Sequence, residues 1–373
     1  HDVADQLLAY TGADLDLTLK TIAEKVDDPV SAMGPDTPIA VLSNRPQLLY
    51  NYFKQLFAQV TNPPIDAIRE KVVTSASIQL GSEGNLLQPG PENCRMIHHD
   101  APVVTEEELG RLRGYRAEGF KAITLPMLFD LRERHALRKA LEDLFVAADT
   151  AMEAGYNLLV LSDKGAGQQY APIPALLAVS GLHHYLVRQG SRTRVSLVAE
   201  TGEAREMHHL ALLVGYGANA VCPYLAYQTL GDMAAKKLLA VSAEKAKENY
   251  RAAAAKSIVK IMSKMGISPV RSYHGAQIFE ALGIGETVIE KYFTGTVSRI
   301  GGLTLREIES EARERHAAAF AAQADEPLDP GGDYKWRKEG EYHLFNPENI
   351  FYLQQSCRTG NYEMFKTFSA RAN

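Results

Sequence analysis

The feature that most constrains the fold is a regular alternation of apolar runs and helical segments between residues 120 and 225. The runs begin near residues 120, 156, 194 and 218, and helical periodicity fills the intervals between them. Parallel strands that are covered on both faces are apolar throughout, so this alternation predicts an α/β fold with a parallel sheet. Four such units are half of an eightfold barrel. We therefore expect an incomplete or distorted (βα) barrel-like parallel sheet.

Additional helices are expected at both ends of this sheet, where apolar residues recur at helical spacing. The predicted helical segments are 4–26, 45–59, 243–265, 275–293 and 305–320. The fourth segment is expected to form two short helices that separate at Gly283 and Gly285. The segment 321–343 is rich in Pro, Gly and charged residues and is predicted to be a linker.

Charge and cysteine content exclude several classes of protein. The formal charge of −5, without a basic stripe, predicts no nucleic-acid partner. No apolar run reaches the ~20 residues of a membrane-spanning helix, so no membrane partner is expected. Three widely spaced cysteines do not form a disulfide framework. They indicate a reducing compartment. The expected location is the cytoplasm, or the plastid stroma if the source is a photosynthetic eukaryote. The chain starts at His1, which suggests a piece of a longer protein.

Glycines near the predicted strands are weak candidates for cofactor binding. Gly165 and Gly167 follow the strand that begins near residue 156, and Gly215 and Gly217 lie at the end of the predicted helix 203–217. Neither pair belongs to a complete phosphate-binding motif, and a flexible strand-to-helix connection is the preferred explanation for Gly165 and Gly167. The sequence GIGETV at 283–288 follows a predicted helix, so its context does not match a dinucleotide-binding loop.

Three adjacent histidine pairs stand out, namely His98-His99, His183-His184 and His208-His209. Neighbouring residues on a helix point about 100° apart, so one pair does not readily chelate one metal ion. The segment His98-His99-Asp100, near Cys94, is the strongest metal candidate. Its spacing matches no zinc signature, and no metal site is predicted.

Carboxylates after the third predicted strand are the remaining candidates for catalysis. Glu200 ends that strand, where barrel enzymes carry catalytic groups, and Glu203 and Glu206 follow it. The alternative is that Glu203 and Glu206 are favourable charges in the first turn of a helix. Ser180 and Ser196 lie in no nucleophile elbow. No catalytic residue is therefore predicted.

Four long segments, at 52–70, 197–226, 260–283 and 291–303, together resemble one known family. They are similar to the central domain of the large subunit of glutamate synthase, and 331–350 resembles the entry to that family's flavin-binding domain. The resemblance implies a central (connector) domain over 1–324, a linker over 325–343, and the truncated start of the FMN-binding synthase domain over 344–373.

The resemblance also implies an activity for the family protein. A glutaminase domain releases ammonia from glutamine, and a tunnel carries the ammonia to a synthase domain. That domain uses FMN and a 3Fe-4S cluster to convert 2-oxoglutarate to glutamate. Electrons come from an NAD(P)H-oxidising small subunit or from ferredoxin. This chain lacks the N-terminal cysteine of the glutaminase, and it also lacks the triple-cysteine cluster and nearly all of the flavin barrel. Neither active site and neither cofactor is therefore expected within it.

The expected role of this segment is to link the glutaminase and FMN-synthase domains of the same polypeptide and to form part of the tunnel. The resemblance makes Thr61, Asn62, Pro63 and Pro64 candidates for the tunnel wall, because two prolines fix two φ angles and remove two N–H donors. The simpler alternative is that the prolines separate two helices and Asn62 caps the second.

Two other classes of function stay open at this point. An independent flavin- or phosphate-binding half-barrel enzyme would place Gly165, Gly167, Gly215 and Gly217 near a phosphate. A non-catalytic interaction scaffold would use the surface around 59–70 for a partner and would line no channel.

Overall fold

A computed structural model of the chain describes residues 3–30, 34–56, 64–322 and 326–372. The strands are β1 (Phe53–Gln55), β2 (Ile78–Leu80), β3 (Ile97–His99), β4 (Ala122–Pro126), β5 (Leu128–Asp130), β6 (Leu158–Ser162), β7 (Tyr170–Pro172), β8 (Ser196–Glu200), β9 (Ala220–Cys222), β10 (Phe279–Ile284) and β11 (Val297–Leu303). The helices are α1 (Val3–Leu7), α2 (Lys20–Lys25), α3 (Glu70–Val73), α4 (Glu106–Gly114), α5 (Ala136–Glu153), α6 (Ala175–Arg188), α7 (Met207–Gly215), α8 (Tyr224–Ala235), α9 (Ala243–Met265), α10 (Val270–Tyr273), α11 (Glu286–Tyr292), α12 (Leu305–Ala321), α13 (Pro347–Thr359) and α14 (Tyr362–Ala372).

The centre of the molecule is a four-stranded parallel sheet in the order β4-β6-β8-β9. Along the chain, α5 connects β4 to β6, α6 connects β6 to β8, and α7 connects β8 to β9. Helix α8 follows β9, the last strand of this sheet. Instead of a fifth long strand, residues 102–104 lie along β9, with Val104 N–H donating to the Val221 carbonyl. The predicted incomplete barrel-like α/β sheet is therefore confirmed.

The first two turns of α6 and most of α7 are buried on all sides. Eight consecutive residues of α6, from Ala175 to Leu182, are buried, and so is α7 from His209 to Gly215. A helix that is apolar all round needs neighbours on more than one side. Here the parallel sheet packs on one side, and a second sheet in the order β1-β10-β11 adds contacts such as Phe279 against Gly215.

The second sheet corrects two predictions. In the described part of the predicted helix 45–59, which ends at residue 56, the structure has a 3₁₀ turn at Leu49–Tyr52 followed by β1. The first predicted helix of 275–293 is β10. Strand β1 pairs antiparallel with β10, so Phe53 lies opposite Ala281. Short apolar runs fit either periodicity, and pairing between distant segments decides their structure. Gly283 thus lies within β10 and packs against Val41, whereas Gly285 follows β10 and packs against the backbone of β11.

The remaining predicted helices are confirmed, and they pack around the two sheets. Helix α9 contacts α2, α7 and α8, whereas α12 contacts α1 and α5. Near the N-terminus, the Asp14 carboxylate accepts hydrogen bonds from the backbone N–H and the hydroxyl of Thr11. Among the described residues, none of the helices combines the length and apolar character that crossing a bilayer demands.

The described part of the predicted linker, 326–343, contains neither helix nor strand and packs on the N-terminal part of the chain. Ser43 donates to Glu341 (2.7 Å), and Asp36 lies 2.7 Å from His343 Nδ1. Beyond it, α13 and α14 pack against each other and leave aromatic side chains exposed, including Phe351 and Tyr362. The domain boundaries at 324 and 343 stay a prediction.

Candidate functional site

Polar side chains meet at the carboxyl edge of the parallel sheet, where Ser162 ends β6 and Glu200 ends β8. The two residues are paired in register, and they are 3% and 1% exposed. Ser162 Oγ donates to Glu200 Oε2 (2.5 Å). Catalytic groups of barrel enzymes lie at this edge, so the state of Glu200 decides what chemistry the edge can perform.

Two cations neutralise Glu200. Arg113 binds it with both terminal nitrogens, at 3.1 Å to Oε1 and 2.5 Å to Oε2, and Lys164 Nζ lies 3.2 Å from Oε1. Burial alone would raise the pKa of Glu200, but the hydrogen bonds from Arg113 and Ser162 hold that pKa below its ordinary value. An ionised carboxylate whose two oxygens accept four such contacts is a structural anchor rather than an available base.

We expect Arg113→Met to lower the free energy of unfolding by about 2 kcal/mol, because it leaves Glu200 buried with fewer partners. Breaking a fully buried pair costs about 3–5 kcal/mol, and here Lys164 remains and Arg113 is partly exposed. Arg111→Met is the matched control on the same helix, since Arg111 forms a surface pair with Glu107 and its loss costs below about 1 kcal/mol. Urea unfolding of both variants tests this difference, and equal losses would contradict it.

Asp163, which follows β6 directly, is a second buried carboxylate, and sequence analysis missed it. It accepts hydrogen bonds from Thr201 Oγ1 (2.6 Å) and the Gly202 N–H (3.0 Å). Burial raises the pKa of Asp163 to about 7. The signal in the sequence was its position just after an apolar strand, the same signal that identified Glu200.

Glu203 and Glu206 precede α7, and the structure gives them different partners. Glu203 is buried and accepts the Ala175 N–H (2.9 Å) at the start of α6, where carboxylates are favoured. Glu206 Oε2 accepts a hydrogen bond from the hydroxyl oxygen of Tyr334 (2.7 Å), a residue of the segment 326–343. These contacts hold secondary elements together, and they do not bring the three predicted glutamates into one site.

The loop with Gly165 and Gly167 does not fit a flavin phosphate. The Gly167 N–H donates to the Tyr170 carbonyl, and the Gly167 carbonyl lies 2.8 Å from His316 Nε2. Phosphate cradles need backbone N–H groups that are free to point at the ligand. The side chain of Lys164, which begins this loop, is already engaged by Glu106 and Glu200.

Gly215 and Gly217 lie at the opposite edge of the sheet, because they precede β9 whereas Gly165 and Gly167 follow β6. A five-residue strand is roughly 16 Å long, so one phosphate cannot contact both pairs. Gly215 makes room for Phe279, and Gly217 makes room for the ring of His183. Packing of the interior explains these two glycines.

The histidine pairs do not form metal sites in the described residues. His98 and His99 lie on a strand, so they point to opposite faces. His99 Nε2 lies 3.3 Å from Glu108 Oε1, and Cys94 is exposed. Within the described ranges, no group of three or more His, Cys, Asp or Glu side chains is arranged to hold a metal ion.

The two helical pairs, in contrast, are mostly enclosed by the protein. His183 Nδ1 accepts from Arg192 Nε (3.0 Å), and His208 Nε2 lies 3.1 Å from the Phe53 carbonyl oxygen. His209 stacks on Tyr50, with ring centroids 4.3 Å apart. Burial is the main reason why the pKa values of all three imidazoles lie below the ordinary range.

Of the four tunnel-wall candidates, Thr61, Asn62 and Pro63 lie outside the described residues. Pro64 is described and is exposed. It lies at the end of α9, because a Cβ added to Gly266 would approach Pro64 Cβ to 3.1 Å. The assignment of these residues to a tunnel stays a prediction.

Comparison with known proteins agrees with the resemblance seen in the sequence. Residues 4–285 match the family model "Glutamate synthase central domain". The chain is 47% identical over 364 residues to the glutamate synthase [NADPH] large chain of Bacillus subtilis, covering 98% of this chain and 24% of that protein. It is 42% identical over 353 residues to ferredoxin-dependent glutamate synthase 2 of Synechocystis, covering 91% of this chain and 22% of that protein.

Among solved structures, a mutant flavocytochrome b2 with benzoylformate is similar, with a TM-score of 0.41 and 11% identity. The match covers 74% of this chain and 89% of that one. The chain spans about a quarter of the length of the curated relatives named above, which have 24% and 22% of their length matched. The family model covers well over half of the chain. The chain therefore belongs to the glutamate synthase central domain family.

Proposed function

We propose that this chain is the connector of a glutamate synthase large chain, which joins a glutaminase domain to an FMN-binding synthase domain and forms part of the passage for ammonia. In this proposal the whole protein makes two glutamates from glutamine and 2-oxoglutarate. FMN, a 3Fe-4S cluster and the electron donor act outside this chain. The chain itself contributes structure rather than chemistry.

The observation that carries the connector role is the closed carboxyl edge of the parallel sheet. Glu200 is saturated by Arg113, Lys164 and Ser162, and the loop at Gly167 is closed on itself. A site that supported turnover would leave a base, a nucleophile or a phosphate cradle available to a substrate. The family match and the quarter-length coverage of the relatives support the same role.

Two exposed surfaces of the described fold also support a connector. Pro64, at one candidate contact surface, is exposed beside the end of α9. The exposed aromatic side chains of α13 and α14, including Phe351 and Phe365, present apolar area that further protein would cover. A connector needs such unburied surfaces, because its neighbours within the polypeptide supply the missing contacts.

The passage is tested by Asn62→Ala in the full-length enzyme. We expect glutaminase activity to persist while ammonia escapes into solution, because the passage wall loses a polar side chain. The ratio of glutamine hydrolysed to 2-oxoglutarate consumed should rise from about one to about two or more, measured by ammonia release with the enzyme's own electron donor.

Asn85→Ala is the control, because Asn85 lies on an exposed turn and its side chain accepts only the Leu87 N–H (3.0 Å) in the described structure. It should leave the ratio unchanged. If Asn62→Ala also keeps the ratio at one, these residues do not form the passage. Loss of glutaminase activity together with synthase activity would instead show that the segment only supports the fold.

A further inference from the structure

His343 joins the segment 326–343 to the N-terminal part of the chain. The residue is 4% exposed, and its ring lies between Asp36 and Gly332. Its Nδ1 is 2.7 Å from Asp36 Oδ1, and its Nε2 is 2.5 Å from the Gly332 carbonyl oxygen. Both ring nitrogens therefore face an oxygen atom at hydrogen-bond distance, and the two oxygens come from distant parts of the chain.

Neither of these two oxygens can donate a hydrogen bond. A backbone carbonyl oxygen only accepts. The second oxygen of the Asp36 carboxylate, Oδ2, accepts the Phe345 N–H (2.7 Å). Burial alone would raise the pKa of Asp36, but the hydrogen bonds from Phe345 and His343 hold that pKa below its ordinary value. The carboxylate is therefore ionised at neutral pH, and an ionised carboxylate only accepts.

The protonation state of the His343 ring follows from these two acceptors. A neutral imidazole has one N–H, so its other nitrogen would present a lone pair to an oxygen. An imidazolium ring has two N–H groups and donates to both oxygens. Because a buried polar group without a hydrogen bond is costly, the position of the ring fits the imidazolium form.

The charges around the ring agree with a protonated His343. Among the described residues, His343 is the one ion-pair partner of Asp36. The ionisable side chains on the surrounding elements include Arg45 of the N-terminal part, Asp333, Arg337 and Glu341 of the segment 326–343, and Glu348 of α13. Arg45 is paired with Asp329, and Glu348 is paired with Arg371. Within the described structure, no other cation therefore compensates the Asp36 carboxylate.

We propose that His343 is a proton-dependent clasp: a doubly protonated ring holds the end of the segment 326–343 on the N-terminal part, and a neutral ring releases it. Closing the clasp takes up a proton, so the closed form is favoured at low pH. Free histidine loses its proton near pH 6.5, and the ratio of closed to open forms should fall by up to about tenfold per pH unit above that value. The inference goes beyond the proposed connector role and does not depend on it.

The position of the clasp gives its opening a structural consequence. The Leu344 N–H donates to the Asp36 carbonyl (3.4 Å), and Asn346 caps α13 by accepting the Asn349 N–H (3.0 Å). The start of α13 is therefore positioned next to the ring. The segment 326–341 also forms one wall of an open cavity of about 570 Å³. Opening of the clasp would free the start of α13 and widen this cavity.

Hydrogen exchange of the 373-residue chain tests the clasp. The measured quantity is the protection of the backbone amides of residues 341–345, followed by mass spectrometry between pH 6 and 9 and corrected for the intrinsic exchange rate. In the unmodified chain we expect this protection to fall at least about tenfold from pH 7 to pH 9, because the ring of the open form is neutral in this range. Peptides from β6 and β8 report opening of the sheet and provide the internal reference.

His343→Gln removes the titrating ring. Its protection at pH 6 should be at least about tenfold lower than that of the unmodified chain, since a hydrogen bond to a charged group is lost, and the two chains should become equal at pH 9. Glu206, which accepts a hydrogen bond from Tyr334 and whose pKa is raised mainly by burial to about 7, is unchanged in this variant. Any pH dependence that arises from Glu206 therefore appears in both chains and cancels in the ratio of their protection.

His98→Gln is the matched control. The His98 side chain is 61% exposed, and its Nε2 lies 3.4 Å from Asp100 Oδ1. This is a contact of the same two side-chain types on the surface and outside the segment 326–343. The variant should leave the protection of residues 341–345 unchanged at every pH.

Asp36→Asn separates the proton from the contact. The amide oxygen can still accept the Phe345 N–H, and the amide nitrogen can donate to Nδ1 of a neutral His343 ring whose Nε2–H donates to Gly332. This variant should keep its protection at pH 9 and lose the pH dependence. The proposal is overturned if the ratio of protection between the unmodified chain and His343→Gln stays constant from pH 6 to 9, which would leave His343 with a packing role only. It is also overturned if Asp36→Asn keeps the pH dependence of the unmodified chain.

Discussion

Gly217→Ala is expected to lower the free energy of unfolding by about 4 kcal/mol. Gly217 has a φ of +113°, a conformation that L-residues rarely adopt, and a Cβ there would overlap the His183 ring. The backbone conformation costs about 1–2 kcal/mol, and forced repacking of a filled interior costs about 1–3 kcal/mol more. The ring cannot move freely, because it accepts from Arg192, which also donates to the Gly217 carbonyl.

Gly190→Ala is the matched control. Gly190 follows α6 with a φ of +67°, and a Cβ at this position meets no atom within 4 Å. Only the conformational cost of about 1 kcal/mol should then appear. Urea unfolding midpoints compare the two variants, and adding His183→Ala to Gly217→Ala should recover part of the loss. Equal destabilisation at both glycines would show that the His183 contact does not matter.

As the pH falls from 6.5 to 4, protonation linked to His208 is expected to lower the free energy of unfolding by about 3 kcal/mol, and His208→Gln should abolish this loss. Burial, and then the nearby Lys54, lowers the pKa of His208 to about 4, compared with an ordinary value near 6.5. The folded state therefore keeps His208 neutral while the unfolded state takes up a proton below pH 6.5. Stability that is fully present above pH 6.5 is lost as the pH falls toward 4, by about 1.4 kcal/mol per pH unit.

The variant keeps an amide donor for the Phe53 carbonyl but has no group that titrates in this range. The variant should therefore be most destabilised relative to the unmodified protein at pH 7.5. The difference between their free energies of unfolding should narrow by about 3 kcal/mol as the pH falls to 4. Urea unfolding across this pH range measures the gap. His184→Gln tests the same principle at an independent position on α6, because burial also lowers the pKa of His184 to about 4. The prediction is contradicted if the pH dependence of the unfolding free energy of both variants runs parallel to that of the unmodified protein.

The carboxyl-edge site could be predicted only in part. Glu200 was found because it ends an apolar strand, and the position of such a residue in a parallel sheet follows from local pattern. Arg113 was not found, because it lies 87 residues away on α4 and reaches Glu200 across the sheet edge. Its role depends on how α4 packs, and a surface arginine on the same helix, Arg111, looks the same in the sequence.

The open cavity beside the segment 326–341 could not be predicted at all from the sequence. Its walls bring together residues from position 6 to position 341, and no two of its segments carry a shared motif. The two acceptors that face the His343 ring likewise become visible only when Asp36 and Gly332 have been placed. A hydrogen-bond account of buried groups therefore requires the tertiary structure.

The sequence by itself determined the parallel α/β sheet, its four successive units and the long helices α5, α9 and α12. These elements are specified by local periodicity, because a buried strand or an amphipathic helix carries its pattern within its own residues. Only the tertiary structure decided that Phe53–Gln55 and Phe279–Ile284 are strands. Each is too short for its periodicity to distinguish strand from helix. Their conformation comes from hydrogen bonds formed across more than two hundred residues of chain.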